Sequence, residues 1–463
     1  MRETDQISLW ERISSAGNLS ERFLWGAGAN INLGDLARGS CLCGRAEELR
    51  GRSVLIVTND QLATGLALIE LDGVARRLVL FPSDVPRKHV RDVIPSTEVD
   101  AIVYDQSTIL EEIPKLKSAV PCSMNIVPAD CDHRRGQSTE WILLTSGTTG
   151  VPKMLVHSLQ TFAGVIARFS PSATSQVWST FYDIRRYGGL VLFLGALCAG
   201  GSIVLSSAEE PVAKFLTRAG KHGVTHLIGS PSLWRRALMS PAASLIAPQS
   251  VALSGEAVDQ PILDRLRTFY PHAKITQVFA STEAGRGFEV TDGLAGFPAG
   301  FIGQQGVGVE LKVEDDSLRI RSTRTALRYI GPQAPTLKDA NGFIDTGDMV
   351  ELRGDRYYFV GRRDGVINVG GLKFYPEEVE AVLNRHPKVR MAVVRAKKSS
   401  MTGALVVADV VLETGLDSRV DELREEILQF CRSALPRHQV PVVINIVPEL
   451  TVAATGKISR RHE

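Results

Sequence analysis

The stretch WILLTSGTTGVPKM, Trp141 to Met154, runs an apolar segment straight into hydroxyls, glycines, a proline and a lysine. Trp141 to Leu144 suit a buried strand. Thr145, Ser146, Gly147, Thr148, Thr149, Gly150 and Lys153 then crowd into one short loop. Such a loop can turn several backbone N–H groups and hydroxyls towards one point. With a lysine beside it, that is an anion cradle. Glycine suits the places where backbone must approach a phosphate or take positive φ. A Walker A loop ends in Gly-Lys-Ser/Thr, whereas here Pro152-Lys153-Met154 follows, so the loop is not that of a P-loop NTPase. A plain Ser/Thr/Gly surface loop is the alternative. Its defined residue order directly after a buried strand weighs against that.

Outward from this loop, strands alternate with helix-period segments. SVLIVTND (Ser53 to Asp60), RLVLFP (Arg77 to Pro82), VDAIVYD (Val99 to Asp105), VTHLIGSP (Val224 to Pro231) and SVALSGE (Ser250 to Glu256) read as buried strands. Between them, SLQTFAGVIARF puts Phe162, Val165, Ile166 and Phe169 on one helical face, with Ser158 able to cap its start. Alternation of this kind implies an α/β fold with parallel sheets, whose ligands gather where strands end. From about Leu311 the texture changes. LKVEDDSLRIRS and MVELRGDRYYFVGRRDG read as hairpins, the second turning at Gly354-Asp355. After Asp364 a further helix, two strands and an amphipathic helix suggest a small α+β domain. The expected division is a large N-terminal domain over residues 1–363, layered α/β with a β-rich part, and a small C-terminal domain over 364–463.

Bulk properties restrict the function. At 463 residues, 44% hydrophobic and 22% charged, the chain can bury more than one core. A formal net charge of +2 gives no reason to expect a nucleic acid or a membrane surface as partner. The N-terminus is charged from its second residue and lacks the apolar core of a signal peptide, so a cytoplasmic protein is expected. GGLVLFLGALCAGGSIVL, Gly188 to Leu205, is uncharged, but its glycines before SIVL favour a buried helix followed by a buried strand over a membrane span. Cys41, Cys43, Cys122, Cys131, Cys198 and Cys431 show no zinc-type spacing and read as reduced thiols.

TSGTTGVPK resembles the phosphate loop of the adenylate-forming enzymes, which include acyl-CoA synthetases, adenylation domains of peptide synthetases and luciferases. Further segments match in order. VFASTEAG (Val278 to Gly285) resembles the family's Tyr-Gly-x-Thr-Glu segment, and GFIDTGD (Gly342 to Asp348) its Tyr-x-Thr-Gly-Asp segment. GRRDGVINVGGLKFYPEEVE (Gly361 to Glu380) is similar to the hinge, and ATGKISR (Ala454 to Arg460) to the catalytic-lysine segment. The resemblance implies attack of a carboxylate on the α-phosphorus of ATP, then attack of a thiol on the acyl-adenylate. It also implies a mobile small domain.

On that resemblance, Lys457 stabilises charge between carboxylate and phosphate. Glu283 holds Mg²⁺, because a hard cation prefers carboxylate and water. Thr282 contacts phosphate. A helix N-cap at STEAG is the structural alternative for both. Asp348 accepts from the ribose hydroxyls, Arg362 adds a charge-assisted bond, and Phe279 stands where the family has a tyrosine and can stack on adenine. Gly255 and Glu256 border the adenine pocket. Asp364 is the hinge, and Gly371, with Gly370, suits a narrow thiol passage or else a plain β-turn.

FYDIRRYGGL (Phe181 to Leu190) is similar to the segment lining the acid pocket. Arg185 replaces a histidine there. It either pairs with a second acidic group on the substrate or faces solvent at the rim. Tyr187 falls about where peptide-synthetase domains place the aspartate for an α-amino group, although Asp183 is near. Ala280 replaces a glycine at the pocket floor and points to a compact acid. The leading expectation is an acid–CoA ligase using ATP, Mg²⁺ and coenzyme A. Its runner-up is a stand-alone enzyme loading an acyl or peptidyl carrier protein. The third reading is a nucleotide binder without catalysis.

Overall fold

A computed structural model describes residues 7–129, 137–145, 152–166, 176–304, 308–332, 334–399, 403–413, 416, 420–450 and 452. A seven-stranded sheet has the order Arg328–Ile330, Lys153–Ser158, Glu140–Thr145, Arg77–Leu80, Ser53–Val57, Ala101–Tyr104, Ser118–Pro121. Its five strands from Glu140–Thr145 onward are parallel, and the two at the other edge are antiparallel. The central strands are buried along their whole length, which is why they read as continuous apolar runs rather than as alternating ones.

An eight-stranded sheet runs Gly285–Val290, Lys274–Ser281, Ser250–Ser254, His226–Gly229, Val177–Thr180, Ser202–Leu205, Phe23–Trp25, Asn30–Asn32. Its middle is parallel and its edges are antiparallel hairpins. The two sheets share one apolar core. The helix Gln61–Leu71 lies in it, as does Tyr187–Cys198, with Phe162, Trp141 and Phe193 among its buried side chains. The uncharged segment from Gly188 is thus a buried helix followed by the buried strand Ser202–Leu205. No helix among the described residues is long and apolar enough to cross a membrane.

A third, five-stranded sheet is antiparallel: Phe297–Pro298, Arg356–Arg362, Ile344–Arg353, Ser317–Ser322, Val309–Glu314. Asp315 and Asp316, both at positive φ, make the two-residue turn of one hairpin, and Gly354-Asp355 makes that of the other. Phe279, Phe288, Phe297 and Phe359 fill its junction with the eight-stranded sheet.

Among the described residues, the strands beyond Arg362 pair only among themselves. Ile367–Val369 and Leu372–Phe374 form a small hairpin. Val389–Ser399, Gly403–Leu412 and Val443–Ile446 form a sheet on which the helices Pro376–Leu383 and Val420–Ala434 pack. This part leans on the helices Pro231–Leu238 and Gln260–Phe269. Arg265 pairs with Glu413, Asn384 donates to Asp259 at 3.4 Å, and Met239 packs on the cluster of Met391, Val393, Val411 and Leu450.

Candidate active site

Ser146, Gly147, Thr148, Thr149, Gly150 and Lys457 lie outside the described residues. The two ends of the loop are described. Thr145 closes the strand Glu140–Thr145 and is paired across the ladder with Lys153, the first residue of Lys153–Ser158. The strands on either side of the Ser/Thr/Gly segment are therefore an antiparallel pair, and Lys153 begins the second of them. Arg186 braces the entrance: it donates to the Leu144 carbonyl at 2.7 Å and is paired with Asp84 at 2.7 Å.

Glu283 comes from the other large sheet. Thr282 to Ala284 form a tight turn between Lys274–Ser281 and Gly285–Val290. The alternative of a helix cap at STEAG therefore falls away. Ser281 Oγ does accept from the Ala284 N–H at 3.0 Å, but a strand follows, not a helix. Gly285 sits at φ +74 with the Arg324 carbonyl 2.4 Å from where a Cβ would stand, so only glycine fits. Two hydrogen bonds stitch the turn to its surroundings, at the Glu283 and Thr282 carbonyls, and a third ties the adjoining segment to the strand Lys153–Ser158. The Ala326 N–H donates to the Glu283 carbonyl at 2.9 Å, and the Leu327 N–H to the Val156 carbonyl at 2.8 Å. His157 Nε2 donates to the Thr282 carbonyl at 2.9 Å.

His157 is a residue that sequence reasoning passed over. A carbonyl can only accept, so Nε2 carries the proton and Nδ1 takes the Thr161 hydroxyl at 3.0 Å. Burial pushes the imidazole down to about 4, against the opposing pull of the Thr282 carbonyl. The unfolded chain would titrate it near 6.5. The folded state therefore rejects a proton that the unfolded state accepts. The stability held by neutral His157 is complete above about pH 6.5 and is lost as pH falls towards 4, about 3 kcal/mol in all. A His157→Gln variant should lose that part of the acid sensitivity, read as a flatter dependence of melting temperature on pH across this window.

Glu283, Arg362 and Asp348 lie within electrostatic reach of one another, with Lys153 beside Tyr329. The Tyr329 hydroxyl donates to Glu283 Oε1 at 3.1 Å, and the Lys153 ammonium lies 6.0 Å from the centre of the Tyr329 ring. Arg362 pairs with Asp348 at 3.0 Å and with Asp364 at 3.6 Å. Burial works against the Arg362 charge, but Asp348, Asp364 and Glu283 outweigh it and hold the guanidinium above its ordinary value. Asp348 lies within the strand Ile344–Arg353, not in a turn. Thr346 bonds to its N–H and to the Leu318 carbonyl. Gly255 has φ +85 next to the Tyr182 hydroxyl, which donates to the Ser254 carbonyl, and Glu256 caps the Ser232 N–H at 3.0 Å. Phe279 is drawn into an aromatic stack with Phe288 and Phe359 and keeps only part of its surface open.

The reading of Arg185 changes. Arg185 is neither at a solvent rim nor free for a substrate anion; it is 1% exposed. Its Nε and Nη2 clamp Asp183 at 2.7 to 3.0 Å, Nη1 donates to the Thr58 carbonyl, and Nη2 reaches Ser83 at 3.3 Å. The same pairing occupies Asp183, so neither residue offers a charge to an acid. Gly370 and Gly371, both at positive φ, form the two-residue turn between Val369 and Leu372 with open space around each. In this arrangement the turn alone accounts for both glycines. Tyr187 lies in the shared core beside Phe162 and His157, and Ala280 packs against that core from the strand Lys274–Ser281.

A family model described as AMP-binding enzyme matches residues 63–325, and one described as AMP-binding enzyme C-terminal domain matches 378–457. A probable non-canonical nonribosomal peptide synthetase, CymA, of Salinispora arenicola is 26% identical over 86% of this chain and 5% of its own length. The acyl-coenzyme A synthetase ACSM2B of Homo sapiens is 25% identical over 71% of this chain and 61% of its own. The chain thus spans less than two thirds of both. Among solved structures, a benzoate CoA ligase from Burkholderia xenovorans has a TM-score of 0.78 at 19% identity, covering 98% of each chain. The anthranilate CoA ligase AuaEII with anthranoyl-AMP has a TM-score of 0.77 at 17% identity, over 97% of this chain and 95% of that one.

Proposed function

The chain belongs to the AMP-binding enzyme family, and from that membership we propose that it activates a carboxylic acid with ATP and passes the acyl group to a thiol, coenzyme A first. The observation that carries the proposal is that Lys153 and Glu283 flank Tyr329 while Arg362, paired with Asp348, feels the Glu283 charge, four residues from separate segments. In the first half-reaction a carboxylate oxygen attacks the α-phosphorus, the bond to the β-phosphate oxygen breaks, and pyrophosphate leaves. In the second, a thiol attacks the acyl carbon, the bond to the AMP oxygen breaks, and the thiol proton is released.

Each residue has a task that suits its surroundings. Lys153 and the loop before it receive the phosphates, and Thr282 adds a hydroxyl. Asp348 accepts from the ribose diol while Arg362 holds its carboxylate in place. Gly255, Glu256 and the open part of Phe279 border the purine. Glu283 suits Mg²⁺: it is a hard carboxylate with one oxygen free of Tyr329, and a cation that keeps its waters and a phosphate needs only one or two such ligands. When bound, Mg²⁺ would neutralise phosphate charge. Tyr187 and Ala280 border a small acid pocket. We divide the chain at 363/364, with Asp364 as hinge, Lys457 delivered for the first half-reaction and the turn at Gly371 presented for the second.

Pyrophosphate release across aryl, short-chain, long-chain and dicarboxylic acids tests the reading. Release with at least one compact monocarboxylic acid is expected. Silence with every acid would favour a nucleotide binder without catalysis. The likeness to a peptide synthetase over most of this chain supports a second acceptor, a carrier-protein phosphopantetheine. Supplying enzyme, ATP and acid with either thiol separates the two.

A further inference from the structure

Tyr329 belongs to no segment that sequence reasoning singled out, yet it touches both ends of the proposed phosphate site. It sits in the short edge strand Arg328–Ile330, in register opposite Leu155. Lys153 and Leu155 are two apart and point to the same face of their strand. The register therefore sets the Tyr329 ring diagonally beside the lysine, within reach of a cation–π contact. The residues leading into the strand are tied to both neighbours by the backbone bonds from Ala326 to Glu283 and from Leu327 to Val156. This double tether fixes where the hydroxyl ends, 3.1 Å from Glu283 Oε1.

We propose that Tyr329 is a positioning residue that locks the Glu283 carboxylate in one orientation, leaving its second oxygen to take a divalent cation while the ring steadies Lys153. The inference rests on the reading of Glu283 as the cation's ligand. A phenol facing an ionised carboxylate is the donor of the pair, because the carboxylate can only accept. A carboxylate held by one donor loses less freedom when it binds a cation, the usual effect of the hydrogen bonds behind metal ligands.

Tyr329→Phe removes the hydroxyl and keeps the ring and the strand. The probe is Mn²⁺ with a non-hydrolysable ATP analogue, titrated by calorimetry against wild type, Tyr329→Phe, Glu283→Gln and the double variant. Tyr329→Phe should weaken binding of the Mn²⁺–nucleotide by about tenfold, the lower end of such effects, while metal-free nucleotide binds as before. The Mg²⁺ concentration needed for half-maximal pyrophosphate release should rise alongside. Adding Tyr329→Phe to Glu283→Gln should cost nothing more, because the route runs through that carboxylate. Equal Mn²⁺ response in wild type and Tyr329→Phe overturns the inference, as does a full additional loss in the double variant. If Glu283→Gln itself leaves Mn²⁺ binding unchanged, the reading of Glu283 fails and the inference with it. The melting temperature of Tyr329→Phe shows whether the strand has kept its place.

Discussion

Replacing Arg185 by methionine is expected to destabilise the fold by about 3–5 kcal/mol, the range for breaking a buried ion pair from one side. The guanidinium is almost wholly enclosed and lies between loops at the ends of both large sheets. It joins Asp183 after Val177–Thr180, Thr58 after Ser53–Val57 and Ser83 after Arg77–Leu80. Removing it strands a buried carboxylate and unpairs a buried carbonyl, and both penalties fall on the native state. Urea unfolding of Arg185→Met and of Asp183→Asn/Arg185→Met provides the measurement. The double change should recover a substantial part of the loss, since no charge is then left alone. An unfolding midpoint close to wild type, together with a changed acid preference, would instead return Arg185 to the substrate pocket.

Arg185 also shows where sequence reading stops. Asp183 is two residues away and was in view, but burial of the pair is decided by Thr58 and Ser83, more than a hundred residues earlier. Only closure of one sheet on the other brings them there. The buried parallel strands were legible because both faces are covered, which leaves an unbroken apolar run such as Ser53–Val57. The hairpins at Asp315-Asp316 and Gly354-Asp355 were legible because turn chemistry is local. STEAG left a helix cap open for the same reason: a serine capping an N–H three residues on serves a helix start and a tight turn alike. Only the strand after Gly285 tells them apart. His157 sits in an apolar strand as a satisfied core histidine would, and Tyr329 lies in a three-residue edge strand. Neither has a local signature, because the contacts that matter to each come from the turn at Thr282-Glu283.

Lys457→Ala should slow adenylation by roughly a hundredfold or more while leaving thioester formation from supplied acyl-adenylate within a few-fold of wild type. Lys457 ends the segment that matches the C-terminal family model. The asymmetry follows from the charges in each half-reaction. Adenylation drives a carboxylate against a triphosphate, and charge accumulates at the α-phosphorus as the new bond forms. An ammonium placed there acts on the transition state more strongly than on the separated reactants. The thiol step instead attacks an uncharged acyl carbon already activated by its AMP leaving group, and needs no cation between two anions. Acid-dependent exchange of labelled pyrophosphate into ATP reads the first half, and consumption of synthetic acyl-adenylate with coenzyme A reads the second. Lys457→Arg keeps the charge but spreads it over a planar fork, so partial rescue of exchange is expected from charge alone. If both half-reactions fall together in Lys457→Ala, the lysine supports the shape of the small domain and not the chemistry. The proposed site would then need another cation for the carboxylate's approach, and Lys153, beside Tyr329, is the next residue to substitute.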